Sequence, residues 1–180
     1  MSASLVNQTL SILTILAQVV GLVLLFLILT KKIRSFGDFF AKNGFFLALI
    51  VALTATVGSL TYSWGLGYEP CEFCWFQRIL MYPLVIILAM ALWKKLDKNA
   101  ADYVLGLSIP GAILSGYHYL LQIGVTSYAP CDALGYSVSC SKLFVMNFGY
   151  ITIPLMSFSA FALIILLVVA SKITRVSVKE

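Results

Sequence analysis

The stretch EPCEFCWFQRILMYPLVIILAMALW, residues 69–93, decides how the chain is read. From Phe73 to Trp93 it is long and apolar enough to cross a bilayer core, which takes about 20 such residues as a helix. Yet it opens on a C-x-x-C pair, Cys71 and Cys74, and carries Arg78 four residues further on. A reactive thiol pair and a charge in a membrane helix call for a chemical reason.

The rest of the chain answers to the same solvent. Of its 180 residues, 61% are hydrophobic and 11% charged, with a mean hydropathy of +1.00. Soluble chains carry about 25% charged residues, so a soluble domain of this length has no means of hiding so much apolar surface. The chain is an integral membrane protein, and its net charge of +5 does not point to nucleic acid; the lipid bilayer is the partner. Five segments are long and apolar enough to span: 9–30, 45–64, 73–93, 102–123 and 148–171. Barrel strands would be shorter and would alternate apolar with polar residues. Helices are the remaining way to satisfy every backbone group in lipid. The sequence therefore predicts an all-α integral membrane protein. A four-helix transmembrane bundle covers 45–172, an extra N-terminal transmembrane helix and basic loop cover 1–44, and a tail covers 173–180.

The first segment is read as a retained helix with its N-terminus outside. A signal peptide would begin with a positive region, but Met1 to Thr30 hold no Lys or Arg, and Lys31, Lys32 and Arg34 follow the apolar run. Lys42 extends that basic connection, Lys94, Lys95 and Lys98 mark a second, and Lys172, Arg175 and Lys179 lie in the tail. The connections 65–72 and 124–147 hold only Lys142. The Lys and Arg excess of cytoplasmic loops then predicts N-terminus out and C-terminus in, with all four cysteines on the outer side. Outside a bacterial cytoplasmic membrane, disulfides persist.

Four cysteines allow three readings. Two structural disulfides suit Cys131 and Cys140, whose ring closes easily, but suit Cys71 and Cys74 poorly, because C-x-x-C constrains little chain and is the redox-active spacing. Four zinc thiolates form a second reading, although the later pair lacks close ligand spacing and thiolates are unexpected in an oxidising compartment. A dithiol–disulfide relay is the third, and local features favour it. Pro70 suits a helix start, where free N–H groups and the helix dipole stabilise thiolate at Cys71 and Cys74.

Arg78 falls on the same helical face as Cys74, about 6 Å deeper in the membrane. It either snorkels to the headgroups or serves a function. As a functional cation it would stabilise a thiolate, or bond an oxygen of an uncharged lipid-soluble acceptor and the charge that develops there on reduction. A quinone fits that description. Gln77, Trp75 and Phe76 supply polar and stacking groups nearby. His118, the one histidine, is either a bundle-facing hydrogen-bonding residue or a proton donor or hydrogen-bond partner to the acceptor, at a depth comparable to Arg78. Pro83, Pro110 and Pro154 are expected to kink their helices, and Trp64, Trp93, Tyr62, Tyr68 and Tyr103 to sit at the membrane interfaces. The first helix, featureless apart from Gln18, is expected to anchor or pack.

The run PCEFCWFQRILMYP, the stretch SGYHYLLQ and the late cysteine pair together resemble the DsbB family of disulfide bond formation proteins, especially its BdbC-like branch, over about residues 45–172. The resemblance implies a four-helix protein-dithiol:quinone oxidoreductase. It would reoxidise a DsbA/BdbD-like thioredoxin-fold oxidase and pass the electrons to ubiquinone or menaquinone. Cys131 resembles the cysteine that the partner attacks, Cys140 its exchanging mate, and Cys74 the cysteine facing the quinone ring. Arg78 resembles the arginine assisting the quinone, with Gln77 and His118 at positions near it. The extra helix departs from the family pattern, as do the mere eight residues between Cys131 and Cys140. A loop that short implies that exchange with Cys71 moves the whole 124–147 connection. Vitamin K epoxide reductase-like proteins also combine a bundle, C-x-x-C and a quinone, but carry the motif on the last helix of the bundle. A non-enzymatic membrane protein with two structural disulfides is the other alternative.

Overall fold

In the computed structural model, residues 3–94, 97–126 and 138–177 are described. They form α1 (Ala3–Leu29), α2 (Gly37–Leu60), α3 (Glu72–Lys94), α4 (Asp97–Gln122) and α5 (Ile153–Ser177). A 3₁₀ turn, Lys32–Phe36, precedes α2, and a π-helical turn, Thr61–Gly65, closes it. All five helices lie in stretches long and apolar enough to cross a membrane. The chain is a multi-pass, all-α membrane protein, as its composition predicts. Among the described residues the strand-like pairing is a single bridge, Asn147 to Ile151.

α1 and α4 begin earlier than the apolar runs expected at 9 and 102, at Ala3 and Asp97, and two further helix starts differ from the sequence reading for a local reason. α2 begins at Gly37 rather than near residue 45, because the connection after α1 is itself apolar: Ile33 is buried and Phe40 packs on the core. Arg175 Nε also donates to the Ala41 carbonyl at 2.9 Å, fixing this end of α2 against α5. α5 begins at Ile153 rather than 148, because Phe148 and Gly149 take positive φ (52° and 79°) in a turn closed by the Asn147–Ile151 pairing. Pro154 therefore sits in the first turn of α5, where its missing N–H costs nothing, and only Pro83 and Pro110 lie inside their helices.

α5 is the central post, packed against α1, α2 and α4. Phe161, Ile164 and Val168 on α5 meet Phe45, Leu84, Leu88 and Val104 in one buried cluster. The α4–α5 seam is tight at Gly111, where an added Cβ would come within 2.4 Å of the Phe161 ring. Away from the core, α1 shows lipid-facing side chains such as Leu22 (68% exposed) and Phe26, and Trp64 and Trp93 stand free as interfacial residues do.

α1 is fastened to the bundle by polar side chains, which are strong specifiers in lipid. Gln18 Nε2 donates to Ser159 Oγ of α5 at 3.2 Å. Gln18 Oε1 accepts from the Tyr150 hydroxyl at 3.1 Å. Asn147 Nδ2 donates to the buried Ser11 Oγ at 2.9 Å. The last two bonds tie α1 to the segment that leads from Cys140 into α5.

Candidate functional site

The site is built where α3 begins. Trp75 N–H bonds the Cys71 carbonyl at 3.2 Å, so Cys71 is the residue that caps α3 and Cys74 lies in its first turn. Both are free thiols, with Sγ atoms 2.9 Å apart, so a disulfide between them needs little movement. Cys71 precedes the membrane-spanning helix, and its thiol is lowered from an ordinary 9.0 to about 5. A hydrogen bond from the Cys74 thiol is the main cause. Burial opposes the shift, while a hydrogen bond from His118 and the Cys74 backbone N–H add to it.

His118 of α4 is fully buried on the side of the thiols away from the cavity described below. Its Nε2 lies 3.7 Å from Cys71 Sγ and 3.0 Å from the Cys140 carbonyl oxygen. Its Nδ1 lies 3.0 Å from Gln77 Nε2. With the amide donating to Nδ1 and Nε2–H donating to the carbonyl, the network assigns the ring proton to Nε2. Phe73 meets the imidazole edge-on, with centroids 5.5 Å apart. His118 is thus the joint between the first cysteine pair and the loop carrying the second.

Cys140 is held in a disulfide and is buried in the same apolar cluster as Cys71, with Phe73, Leu121 and Val138. Cys131 lies outside the described residues. The sulfurs of Cys71 and Cys74 and a ring nitrogen of His118 lie within 4.8 Å of one another. That spacing would suit a soft metal ion. Cys140, in its disulfide, offers no thiolate to such a group.

On the other side of Cys74 lies a cavity of about 380 Å³, lined by α1, α2, α3, the 68–70 segment and α5. Cys74, Gln77 and Arg78 share its lining with Ser59 of α2 and Ser63 of the π-helical turn that closes it. Arg78 is half-buried, and its guanidinium is held through Nε and one Nη. Nε donates to Ser59 Oγ at 3.0 Å, one Nη donates to the Ser59 carbonyl at 3.3 Å, and the same Nη bonds Ser63 Oγ. Tyr82 donates to Ser59 Oγ at 3.3 Å. Trp75 does not line the cavity; its ring lies beneath the guanidinium, 5.2 Å from Arg78 Cζ to centroid.

The structure therefore gathers Cys71, Cys74, Gln77, Arg78, Trp75 and His118 around the start of α3 and brings Cys140 to them through its backbone. It also corrects the reading of two tyrosines. Tyr62, only 5% exposed, and Tyr68 stack on each other and, through Tyr68, on Phe144 at the rim of the cavity, with centroids 5.8 and 5.1 Å apart. Nothing in a single sequence separates such tyrosines from an interfacial belt. Ser59 and Ser63 also escape sequence reading, although their spacing of four, one helical turn, is the signal that could have found them.

Residues 41–171 match the family of disulfide bond formation protein DsbB. The chain belongs to the DsbB family. It is similar to the SPbeta prophage-derived disulfide bond formation protein B of Bacillus subtilis (strain 168), 42% identical over 69% of this chain and 82% of the relative. It is similar also to disulfide bond formation protein C of the same organism, 45% identical over 65% and 83%. A probable disulfide formation protein of Oceanobacillus iheyensis is 43% identical over 77% and 90%. No solved structure matches. The DsbB match begins inside α2, so α1 lies outside it.

Proposed function

We infer that this DsbB-family chain is a protein-dithiol:quinone oxidoreductase that reoxidises a DsbA/BdbD-like thioredoxin-fold oxidase. The observation that carries the reading is the close pair Cys71–Cys74, of which Cys74 lines a largely apolar cavity that also receives Arg78. Two redox sulfurs, a fixed cation and an apolar chamber fit a lipid-soluble, two-electron acceptor with a polar ring, which is the chemistry of ubiquinone or menaquinone. Such a quinone, when bound, takes up two electrons and two protons and leaves as the hydroquinone.

The chain's own residues handle the sulfur chemistry. A thiolate of the reduced partner attacks Cys131 of the Cys131–Cys140 disulfide, forming a mixed disulfide and releasing Cys140 as thiolate. The partner's second thiolate resolves the mixed disulfide and leaves both cysteines reduced. Cys140 then attacks the oxidised Cys71–Cys74 pair at Cys71, and Cys131 resolves that bond. Cys71 and Cys74 end as a dithiol, two electrons richer. His118 steadies sulfur charge at Cys71 and holds the Cys140 backbone beside it, so the exchange starts within one buried cluster. Arg78 binds and polarises the acceptor while Cys74 faces it. The net reaction is partner dithiol plus quinone to partner disulfide plus hydroquinone, so sulfur, electrons and protons balance. The alternation of basic and cation-poor connections supports a cytoplasmic membrane location with the cysteine end facing the oxidising outside.

The test is quinone-dependent oxidation of a reduced DsbA-like partner by the purified protein, followed by quinone absorbance. Turnover by wild type that is lost in Cys74→Ser is the expected result. A folded protein that leaves quinone untouched while its cysteines stay locked as disulfides would return the chain to the structural-disulfide reading. Oxidation of hydroquinone instead would favour the vitamin K epoxide reductase-like direction.

A further inference from the structure

α1 is the element that the family match leaves over, and it does not pack evenly on the bundle. It binds α5 through Gln18 and meets α2 near one end, where Leu10 lies against Gly58. Between those contacts it stands off, and its Leu13, Leu16, Ala17 and Val20 form one wall of the cavity that holds Cys74 and Arg78. Opposite them stand Ile50 of α2 and Leu163 of α5.

The chamber is graded along its length. The thiol, the Gln77 amide, the Arg78 guanidinium, the Ser59 and Ser63 hydroxyls and the Glu69 carboxyl gather near Cys74. Further in, the threonine hydroxyls on the walls are spent on their own helices: Thr14 bonds the Leu10 carbonyl and Thr54 the Ile50 carbonyl, each at 2.8 Å. From Ser63 to Ile50 the cavity follows α2 and the turn that closes it for thirteen residues, about 20 Å at the helical rise. A quinone ring fills only the polar end of a channel that long. Leu13, Leu16 and Val20 are still 42%, 55% and 48% exposed, so α1 walls the channel without sealing it from the bilayer.

We propose that α1 is the tail-binding wall of this cavity: an isoprenoid-type apolar chain lies along Leu13, Ala17 and Val20 while its polar ring occupies the end marked by Cys74 and Arg78. The inference rests on the acceptor reading above and adds a specificity element to it. α1 selects for a long apolar tail, and the gap it leaves is the lateral path by which a lipid-borne molecule enters.

The test measures binding, separately from turnover, on the full chain in lipid nanodiscs. Affinities for a polyprenylated benzoquinone and its tail-less parent are read from quenching of tryptophan fluorescence. A quinone with a diazirine on its tail is photolysed on the unmodified protein and the label mapped by mass spectrometry. Ala17→Phe, which fills the channel, is expected to weaken the polyprenylated quinone by about tenfold or more and the tail-less one by less than about twofold. Leu22→Phe, on the lipid face of α1, is expected to change neither, and the tail label to fall on α1. An equal loss for both quinones, an unchanged long-tail affinity, or a label that spares α1 would overturn the inference and leave the acceptor site standing. Failure of both quinones to bind the unmodified chain would remove the acceptor site and this inference together.

Discussion

The Gln77 side-chain nitrogen lies 3.0 Å from His118 Nδ1, so a residue of α3 sets the tautomer of the one histidine on α4. That choice leaves Nε2–H for the Cys140 carbonyl and the Cys71 sulfur. Gln77→Ala is expected to slow oxidation of the partner by about tenfold, less than the roughly hundredfold loss for His118→Ala. It is also expected to move the pH profile of that rate, which a merely structural role would leave in place. Steady-state rates between mildly acidic and alkaline pH are the check.

The lowered thiol of Cys71 makes a pH prediction with a definite sign. Between about 5 and the ordinary 9.0, the reduced native protein carries a thiolate at Cys71 where the unfolded chain carries a thiol. The resulting stabilisation of the reduced protein is complete above the unfolded value and is lost as pH falls toward the folded one. Ultraviolet thiolate absorbance of the reduced protein is expected to titrate with a midpoint near 5, and Cys74→Ala, which removes the main hydrogen bond, to raise that midpoint. A titration near 9 in the unaltered protein would refute the assignment.

Arg78 owes its position to α2. Ser59 and Ser63 hold the guanidinium through hydrogen bonds to Nε and one Nη. Ser63→Ala is expected to raise the KM for quinone several-fold, about 1 kcal/mol, with kcat nearly unchanged. Arg78→Ala is expected to raise it further. Initial rates against quinone concentration separate the two parameters.

The seam between α4 and α5 tolerates no side chain at Gly111. Gly111→Val is expected to lower stability by about 1–3 kcal/mol, because its side chain would meet the Phe161 ring. Phe161→Ala in the same chain should restore part of the loss, as coupled neighbours do. Thermal inactivation in mild detergent distinguishes the single from the double variant.

Much of this was legible before any coordinates. Spans follow from runs of apolar residues, and the start of α3 follows from Pro70. The common face of Cys74, Gln77 and Arg78 follows from helical spacing, since these residues are neighbours on one helix. What stayed hidden depends on how helices meet. Ser59 and Arg78 are nineteen positions apart and Gln18 and Ser159 one hundred and forty-one, and no local pattern announces either bond. His118 could be given a depth but not a face, so its position behind the thiols, away from the cavity, emerged only with packing. Basic residues after α1 suggested a loop, yet buried Ile33 and core-packed Phe40 draw that stretch into a 3₁₀ turn and the first turns of α2.

The hold of His118 on Cys140 runs through a main-chain oxygen, and a main-chain oxygen is the one part of a residue that mutation does not rewrite. Geometry and reactivity at that position are consequently inherited separately. Cys140→Ser would abolish the sulfur chemistry while leaving the loop seated on the imidazole, so a partner caught at Cys131 would be trapped on an otherwise undisturbed surface.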